Sequence, residues 1–119
     1  MNKNEFDDYL VRGWECGANI FYHGRIYFSQ CAYDIAKNNY CFSVFSFKAE
    51  RHKEHSFSPY MRKGGGYVGE MDHIDQFFET RETAKEYYLS SKIFEGKSFW
   101  EIGKNLQWLE DDGPAIFVD

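Results

Sequence analysis

The spacing of hydrophobic and polar residues alternates along the chain between the period of a helix and that of a strand. Near the beginning, Phe6, Tyr9 and Leu10 stand at positions i, i+3 and i+4, which places side chains on one face of a helix. Gly13 follows this segment and favours a stop. The pattern predicts a short N-terminal amphipathic helix.

Extended segments are predicted next. Residues 18–22 and 25–29 are rich in aromatic and β-branched side chains, and only two residues, the second a glycine, separate them. Such a connection is typical of a tight β-hairpin. In residues 40–48, hydrophobic side chains fall on both faces of an extended chain. This predicts a strand that is either covered on both sides or interrupted by a bulge near Val44.

Helical spacing returns in the C-terminal third of the chain. Thr80 suits the N-cap of a helix that would run to Ser90. Apolar residues at i, i+3 and i+4 supply its predicted buried face: Ala84, Tyr87 and Tyr88.

A last helix is predicted after a turn at residues 95–97. Ser98 and Glu101 have the spacing of a capping box, in which each side chain bonds the backbone N–H of the other residue. Gly113 would end this helix, and residues 115–118 would form an edge strand or an ordered tail. The predicted buried face consists of Phe99, Ile102, Leu106 and Leu109.

These elements predict a single α+β domain over residues 1–119. It would have a short N-terminal helix, an antiparallel sheet of about four strands and two C-terminal helices packed on one face. A length of 119 residues suits one hydrophobic core, and 43% hydrophobic with 20% aromatic residues excludes a disordered chain. With 12 Phe, 9 Tyr and 3 Trp, several rings are expected at the surface.

The cysteines and the hydropathy bear on the compartment. The 3 cysteines have unrelated spacings, and no charged-then-apolar leader opens the sequence. No apolar run approaches the roughly 18 residues that a membrane helix needs. The expectation is a cytoplasmic protein with reduced thiols and no membrane span.

Charge is unevenly distributed. The formal net charge is −5, but residues 48–63 carry five basic residues against Glu50 and Glu54, a local +3 that leaves −8 elsewhere. Net acidity disfavours non-specific binding to nucleic acid and favours association with a basic partner.

No motif indicates catalysis, a cofactor or a metal ion. Residues 96–98 read Gly-Lys-Ser, but a phosphate-binding loop needs a glycine at position 91, which is Ser91. A Cys-x-x-Cys pair is missing as well. The protein is therefore predicted to be no enzyme, with Cys41 or Cys31 beside His73 as the first pair to test in the alternative of a small thiol enzyme.

The basic segment carries a second alternative, a nucleic-acid or phosphate-binding module. Glycines at 64–66 allow backbone N–H groups to turn toward an anion, and Phe57 and Tyr60 would stack on bases. A mobile hairpin tip accounts equally for this composition. The residues assigned to the anion site are Lys48, Arg51, Lys53, Arg62, Lys63, Gly64 and Gly65.

Residues 92–102 contain an Ile-x-Glu-Gly-Lys-Ser turn followed by the capping box. This stretch resembles the C-terminal part of small, mostly uncharacterised bacterial α+β proteins, and residues 19–27 resemble their strand, glycine turn and second strand. Proteins of this size and build occur among the immunity proteins of bacterial toxin systems. The resemblance implies a binding role and supplies no catalytic residues.

The preferred hypothesis is a noncatalytic protein-binding protein, for example an immunity protein that occupies a basic toxin or nuclease. On the predicted last helix, Trp100 and Trp108 would lie about 80° apart on one flank. The competing interpretation is that both indoles only cover the core. The residues predicted to contact the partner are Trp100, Glu101, Trp108, Glu110, Asp111 and Asp112.

Overall fold

The structure is a computed structural model that describes residues 4, 17–109 and 111–118. For residues 72–74, 100, 104, 108, 111 and 112 the description is limited to the backbone. The strands are β1 Ala18–Tyr22, β2 Arg25–Asp34, β3 Asn39–Lys53, β4 Ser56–Met61, β5 Met71–Phe78, β6 Gln107–Trp108, β7 Asp111–Asp112 and β8 Ile116–Phe117. The helices are α1 Arg81–Ser90 and α2 Phe99–Ile102, and α2 continues into a 3-10 helix, Gly103–Asn105.

The predicted fold is wrong in its balance of helix and sheet. Of the described residues, 50% are in strands and 17% are helical, and among these residues α1 alone of the helices is longer than about one turn. The sheet is mixed, since β4 pairs in parallel with β7 and β8. Six strands form its main path, in the order β6-β1-β2-β3-β4-β7. The predicted N-terminal helix, at residues 4–12, lies outside the described residues except for Asn4.

The predicted N-terminal hairpin is confirmed. β1 and β2 pair in antiparallel register up to Tyr22 and Arg25. His23 and Gly24 connect them with φ angles of 48° and 74°, and two positive φ angles are typical of the type I′ turn, whose twist matches that of the strands. β2 runs on to Asp34, because its second half pairs with the beginning of β3.

The predicted central strand is also confirmed, and both interpretations of its pattern apply. The register of β3 against β5 shifts between Val44 and Ser46, as a bulge would produce. Phe42 and Val44 are buried in one core of the sheet and Phe47 in another. Because apolar groups cover both faces, the strand reads as an almost continuous hydrophobic run.

The two hydrophobic cores lie on opposite faces of the sheet. The first core packs α1 and the segment around α2 against β1, β2 and β3, and its fully buried members include Ile20, Phe42 and Tyr88. The second core consists of Ile26, Phe47, Ala49, Phe57 and Leu109. Neighbours such as Ile26 and Tyr27 point in opposite directions because side chains alternate along a strand.

The segment 107–112 closes the sheet on itself. β6 pairs with β1 at one end of the main path, and β7 pairs with β4 at the other. Only residues 109 and 110 lie between β6 and β7. The sheet therefore curls until its two ends meet, and Leu109, 2% exposed, is buried inside the curl.

The helix predicted from Ser98 onward is wrong in length. α2 ends where Ile102 leaves helical geometry (φ −125°, ψ 6°), and the chain is extended again at Leu106. All four residues of the predicted buried face are indeed buried: Phe99, Ile102, Leu106 and Leu109. Instead of continuing the helix, the chain forms β6, which pairs with β1. Its apolar side chains can then pack into both cores, which the single face of a helix could not do.

The caps predicted from sequence are confirmed. Thr80 Oγ1 accepts a hydrogen bond of 3.1 Å from the backbone N–H of Thr83 at the start of α1. Ala84 is fully buried on that helix. At α2, the backbone N–H of Ser98 donates to Glu101 Oε1 at 3.3 Å, the reciprocal half of the capping box.

Candidate functional site

A structured apolar surface lies at the turn between β2 and β3. Ile35 is 86% exposed there, and Tyr33 of β2 and Phe77 of β5 are 46% and 41% exposed on either side of β3. The register pairs Tyr33 with Tyr40 and Phe77 with Cys41, so these two rings lie on opposite faces of the sheet at its tip. We call these three residues the tip surface.

Several contacts hold this turn in shape. Asp34 Oδ1 accepts a hydrogen bond of 3.2 Å from the backbone N–H of Lys37, and the hydroxyl of Tyr33 donates to Asn38 Oδ1. The rings of Tyr33 and Tyr40 meet edge to face with 5.3 Å between their centroids. A turn that is already ordered loses little conformational entropy when a partner binds.

A cation adjoins the apolar groups. Nζ of Lys37 lies 3.8 Å from the centroid of the Phe77 ring, a cation–π contact. The tip surface therefore combines aromatic and aliphatic anchors with charge at its border, the chemistry of a protein interface. The sequence indicated it only indirectly, because Ile35 is an isolated apolar residue in a polar turn.

The residues predicted to contact a partner do not share one helix. The backbone of Trp108 lies in β6, opposite Ile20 of β1, so the predicted common flank of Trp100 and Trp108 is wrong. Glu101 is exposed, and its carboxylate caps α2.

The acidic residues that follow lie at the end of the curled sheet. The backbones of Asp111 and Asp112 pair with Ser56 and Phe57 of β4, and Glu110 lies outside the described residues. The role predicted for this acidic end, contact with a basic partner, stays a prediction.

The basic residues of the alternative site are dispersed. The six residues of β4 separate the pair Arg51 and Lys53 from Arg62, a span of about 20 Å along a strand. Arg51 is engaged, since Nη1 donates to Gln107 Oε1 at 2.9 Å and Nη2 to the carbonyl of Glu54 at 2.8 Å. These cations do not converge on one anion.

The glycine turn and the rings of the alternative site are also engaged. Gly65 N–H donates to the carbonyl of Arg62 at 2.9 Å, which closes the turn that contains Lys63 and Gly64. Phe57 is 2% exposed, so its proposed stacking on bases is wrong. The hydroxyl of Tyr60 donates to Glu50, and this hydrogen bond raises the pKa of that phenol.

The two thiol candidates lie on opposite faces of the sheet, and the alternative of a thiol enzyme stays a prediction. Cys31 is buried in the first core, whereas Cys41 is a half-buried free thiol on the neighbouring strand. The register pairs Cys31 with Phe42, so Cys41, one residue earlier, points to the opposite face. The side chain of His73 lies outside the description. Among the described residues, no three His, Cys, Asp or Glu side chains are placed to hold a metal ion.

A cleft of about 560 Å³ opens where β2 begins. We call it the charged cleft. It brings together the start of β2, the loop before β5 and the turn after α1, three segments that are far apart in the sequence and share no local motif. Its lining consists of Arg25, Tyr27, Gly69, Glu70, Met71, Lys92, Ile93, Glu95 and Gly96.

Arg25 is fixed at the wall of this cleft. Its Nε donates to Ser46 Oγ at 3.0 Å, and Nη2 donates to the carbonyl of Gly69. It also bonds the hydroxyl of Tyr27. Burial raises the pKa of Tyr27 despite the nearby guanidinium, so this phenol is neutral and donates or accepts hydrogen bonds at physiological pH.

None of the helices in the described part of the chain is long and apolar enough to cross a membrane. No protein-family model matches the chain, and comparison with curated proteins and with solved structures found no significant similarity. The expected resemblance to immunity-like proteins therefore stays a prediction.

Proposed function

We propose that this is a noncatalytic protein-binding protein that contacts its partner through the tip surface. The observation that carries the proposal is the 86% exposure of Ile35 on a turn that hydrogen bonds and ring contacts keep in one shape. Exposing this side chain has no benefit for folding, but it offers an apolar anchor to another protein.

A basic protein, such as a toxin or nuclease, is the partner that we propose, with this chain as its immunity protein. The net charge of −5 supports this choice, since long-range attraction speeds the encounter of oppositely charged proteins. Apolar anchors would then hold the complex once it has formed. We place the protein in the cytoplasm because Cys41 is a free thiol.

The experiment compares two exposed apolar residues. Ile35→Asp removes the anchor of the tip surface, and Val118→Asp introduces the same charge at a residue that is 48% exposed on the C-terminal segment. Tagged wild-type and variant proteins are used to capture partners from the native cell, and the captured proteins are quantified by mass spectrometry. A basic protein that wild type and Val118→Asp retain, and that Ile35→Asp loses, is then purified and titrated.

We expect Ile35→Asp to weaken that complex by about tenfold or more, since an apolar anchor contributes more than about 1.4 kcal/mol. The proposal is wrong if every captured protein is retained equally by both variants. Loss of binding only on replacing Asp111 and Asp112 by Lys would instead assign the contact to the acidic end.

A further inference from the structure

We propose that the charged cleft binds a small organic phosphate, with the phosphate against Arg25, Lys48 and Lys92 and the apolar part against Met71 and Ile93. This site is independent of the tip surface and of the protein partner proposed above. It also differs from the basic segment considered from sequence, because only Lys48 belongs to both.

The first argument is the convergence of cations. Arg25 and Lys92 line the cleft, and Lys48 adjoins it across Gly69. A Cβ atom added at Gly69 would lie 3.0 Å from Lys48 Cγ and 3.3 Å from Arg25 Nη1. Both side chains thus lie against one glycine, which lets them approach each other at the mouth of the cleft.

The second argument is the balance of charge, in which Arg25, Lys48 and Lys92 outnumber the two carboxylates of the lining, Glu70 and Glu95. Glu70 Oε1 accepts a hydrogen bond of 3.0 Å from the backbone N–H of Tyr67. Glu95 Oε2 lies 3.0 Å from His23 Nδ1. Neither Lys48 nor Lys92 has an ion pair with another residue that the structure describes. The cleft therefore keeps a net positive charge, which suits a phosphate that binds the cations through charge-assisted hydrogen bonds.

The third argument is preorganisation of the strongest donor. The bonds of Arg25 to Ser46 and Gly69 fix the plane of its guanidinium. A guanidinium has five N–H donors, so the bonds to Ser46, Gly69 and Tyr27 still leave donors for a ligand. Because the fork is held before binding, little side-chain entropy is lost when it grips an oxyanion.

The fourth argument is the size and composition of the cleft. The cleft of about 560 Å³ is open to solvent and has room for a small organic molecule as well as for an inorganic ion. Met71 and Ile93 are half-buried at its wall, and they offer an apolar surface next to the neutral phenol of Tyr27. A ligand with a compact apolar body and one phosphate satisfies both parts.

Phenyl phosphate is the probe for the test, and binding is followed by NMR titration of the intact protein. We expect saturable shifts around Arg25, Gly69 and Gly96, with a Kd below about 1 mM. Benzyl alcohol should not bind, and inorganic phosphate should bind more weakly, because each keeps only one part of the ligand. Ile35→Asp should leave the Kd unchanged, which separates this site from the proposed protein contact.

Two variants and a matched control locate the site. Arg25→Gln and Lys92→Ala should each weaken phenyl phosphate binding by about tenfold. Lys53→Ala removes one exposed positive charge at the far end of β3 and should change the Kd by less than about twofold. Lys92 makes no hydrogen bond or ion pair with the residues that the structure describes, so Lys92→Ala should fold and remains informative if Arg25→Gln unfolds.

Three results would overturn the proposal. One is the absence of saturable shifts up to about 10 mM phenyl phosphate, beyond which binding has no specificity. Another is equal weakening by Lys53→Ala and Lys92→Ala, which would indicate attraction by overall charge. The third is equal affinity for benzyl alcohol and phenyl phosphate, which would show that the cations contribute nothing.

Discussion

His23 and Glu95 join two turns that are 72 residues apart in sequence, with Nδ1 of His23 lying 3.0 Å from Oε2 of Glu95. Both residues have positive φ angles, 48° and 55°. Such angles cost a residue with a side chain roughly 1 to 2 kcal/mol. The ring of His23 also stacks on Tyr22 at 3.8 Å. The contact therefore connects two strained turns at the border of the charged cleft.

A double-mutant cycle measures this contact. His23→Ala also removes the stacking on Tyr22, so the single change overstates the pair, and the cycle with Glu95→Ala cancels that error. We expect a favourable coupling of about 0.2 to 1 kcal/mol from urea unfolding, because both side chains are about half exposed. In the protonated form of His23 the contact is an ion pair, and its coupling should then fall as salt is added. Additive single changes at low salt would show that the contact contributes no stability.

Tyr27 makes the stability sensitive to alkaline pH. Burial raises its pKa in the folded protein above that of the unfolded chain. Between these two values the unfolded state binds fewer protons, so the free energy of unfolding falls as the pH rises from about 10. Tyr27→Phe should flatten this decline in urea titrations from about pH 8 to about pH 11. An identical decline in wild type and Tyr27→Phe would contradict the assignment.

Tyr60 contributes a decline of the same sign. Its hydrogen bond to Glu50 raises the pKa of the phenol. The alkaline decline in the free energy of unfolding that remains in Tyr27→Phe should therefore become smaller still in the double variant with Tyr60→Phe.

Tyr27→Phe should also lower the free energy of unfolding at neutral pH by about 0.5 to 1.5 kcal/mol, because the hydrogen bond of its hydroxyl is lost.

Local signals predicted the local structure. The Gly24 turn, the N-cap at Thr80 and the capping box of Ser98 and Glu101 depend on nearest neighbours in the chain, and all three are confirmed. The same holds for burial, since Leu106 and Leu109 are buried as the apolar pattern predicted. Spacing alone identifies such features because the partners are a few residues apart.

Long-range pairing was not predictable from that pattern. The spacing of the four apolar residues after Ser98 suited one face of a single helix. In the structure, however, Leu106 packs in the first core and Leu109 in the second. Pairing of Trp108 with Ile20 across the sheet decided the backbone. The charged cleft was missed for the same reason, since Arg25 and Lys92 line one cleft only after folding.

Phe94 connects the turn before α2 to the first core. It is fully buried, and its ring meets that of Tyr27 at 4.8 Å and those of Tyr22 and Tyr88 at 6.1 and 6.2 Å. Phe94→Ala should lower the free energy of unfolding by about 3 to 5 kcal/mol. Phe117→Ala, at a residue that is 58% exposed, should change it by less than about 0.5 kcal/mol. Comparable losses in both variants would show that Phe94 does not organise this core.

Leu109 holds the two ends of the curled sheet together. Its side chain is buried in the second core, and its backbone N–H donates to the carbonyl of Asn19 at 3.1 Å. Leu109→Ala should cost about 2 to 5 kcal/mol and speed hydrogen exchange selectively at Gly113, whose N–H bonds Phe57 beyond the closure. Leu106→Ala creates a similar cavity in the first core and should not speed exchange selectively at Gly113. Equal exchange at Gly113 in the two variants, after correction for global stability, would show that the sheet stays closed without Leu109.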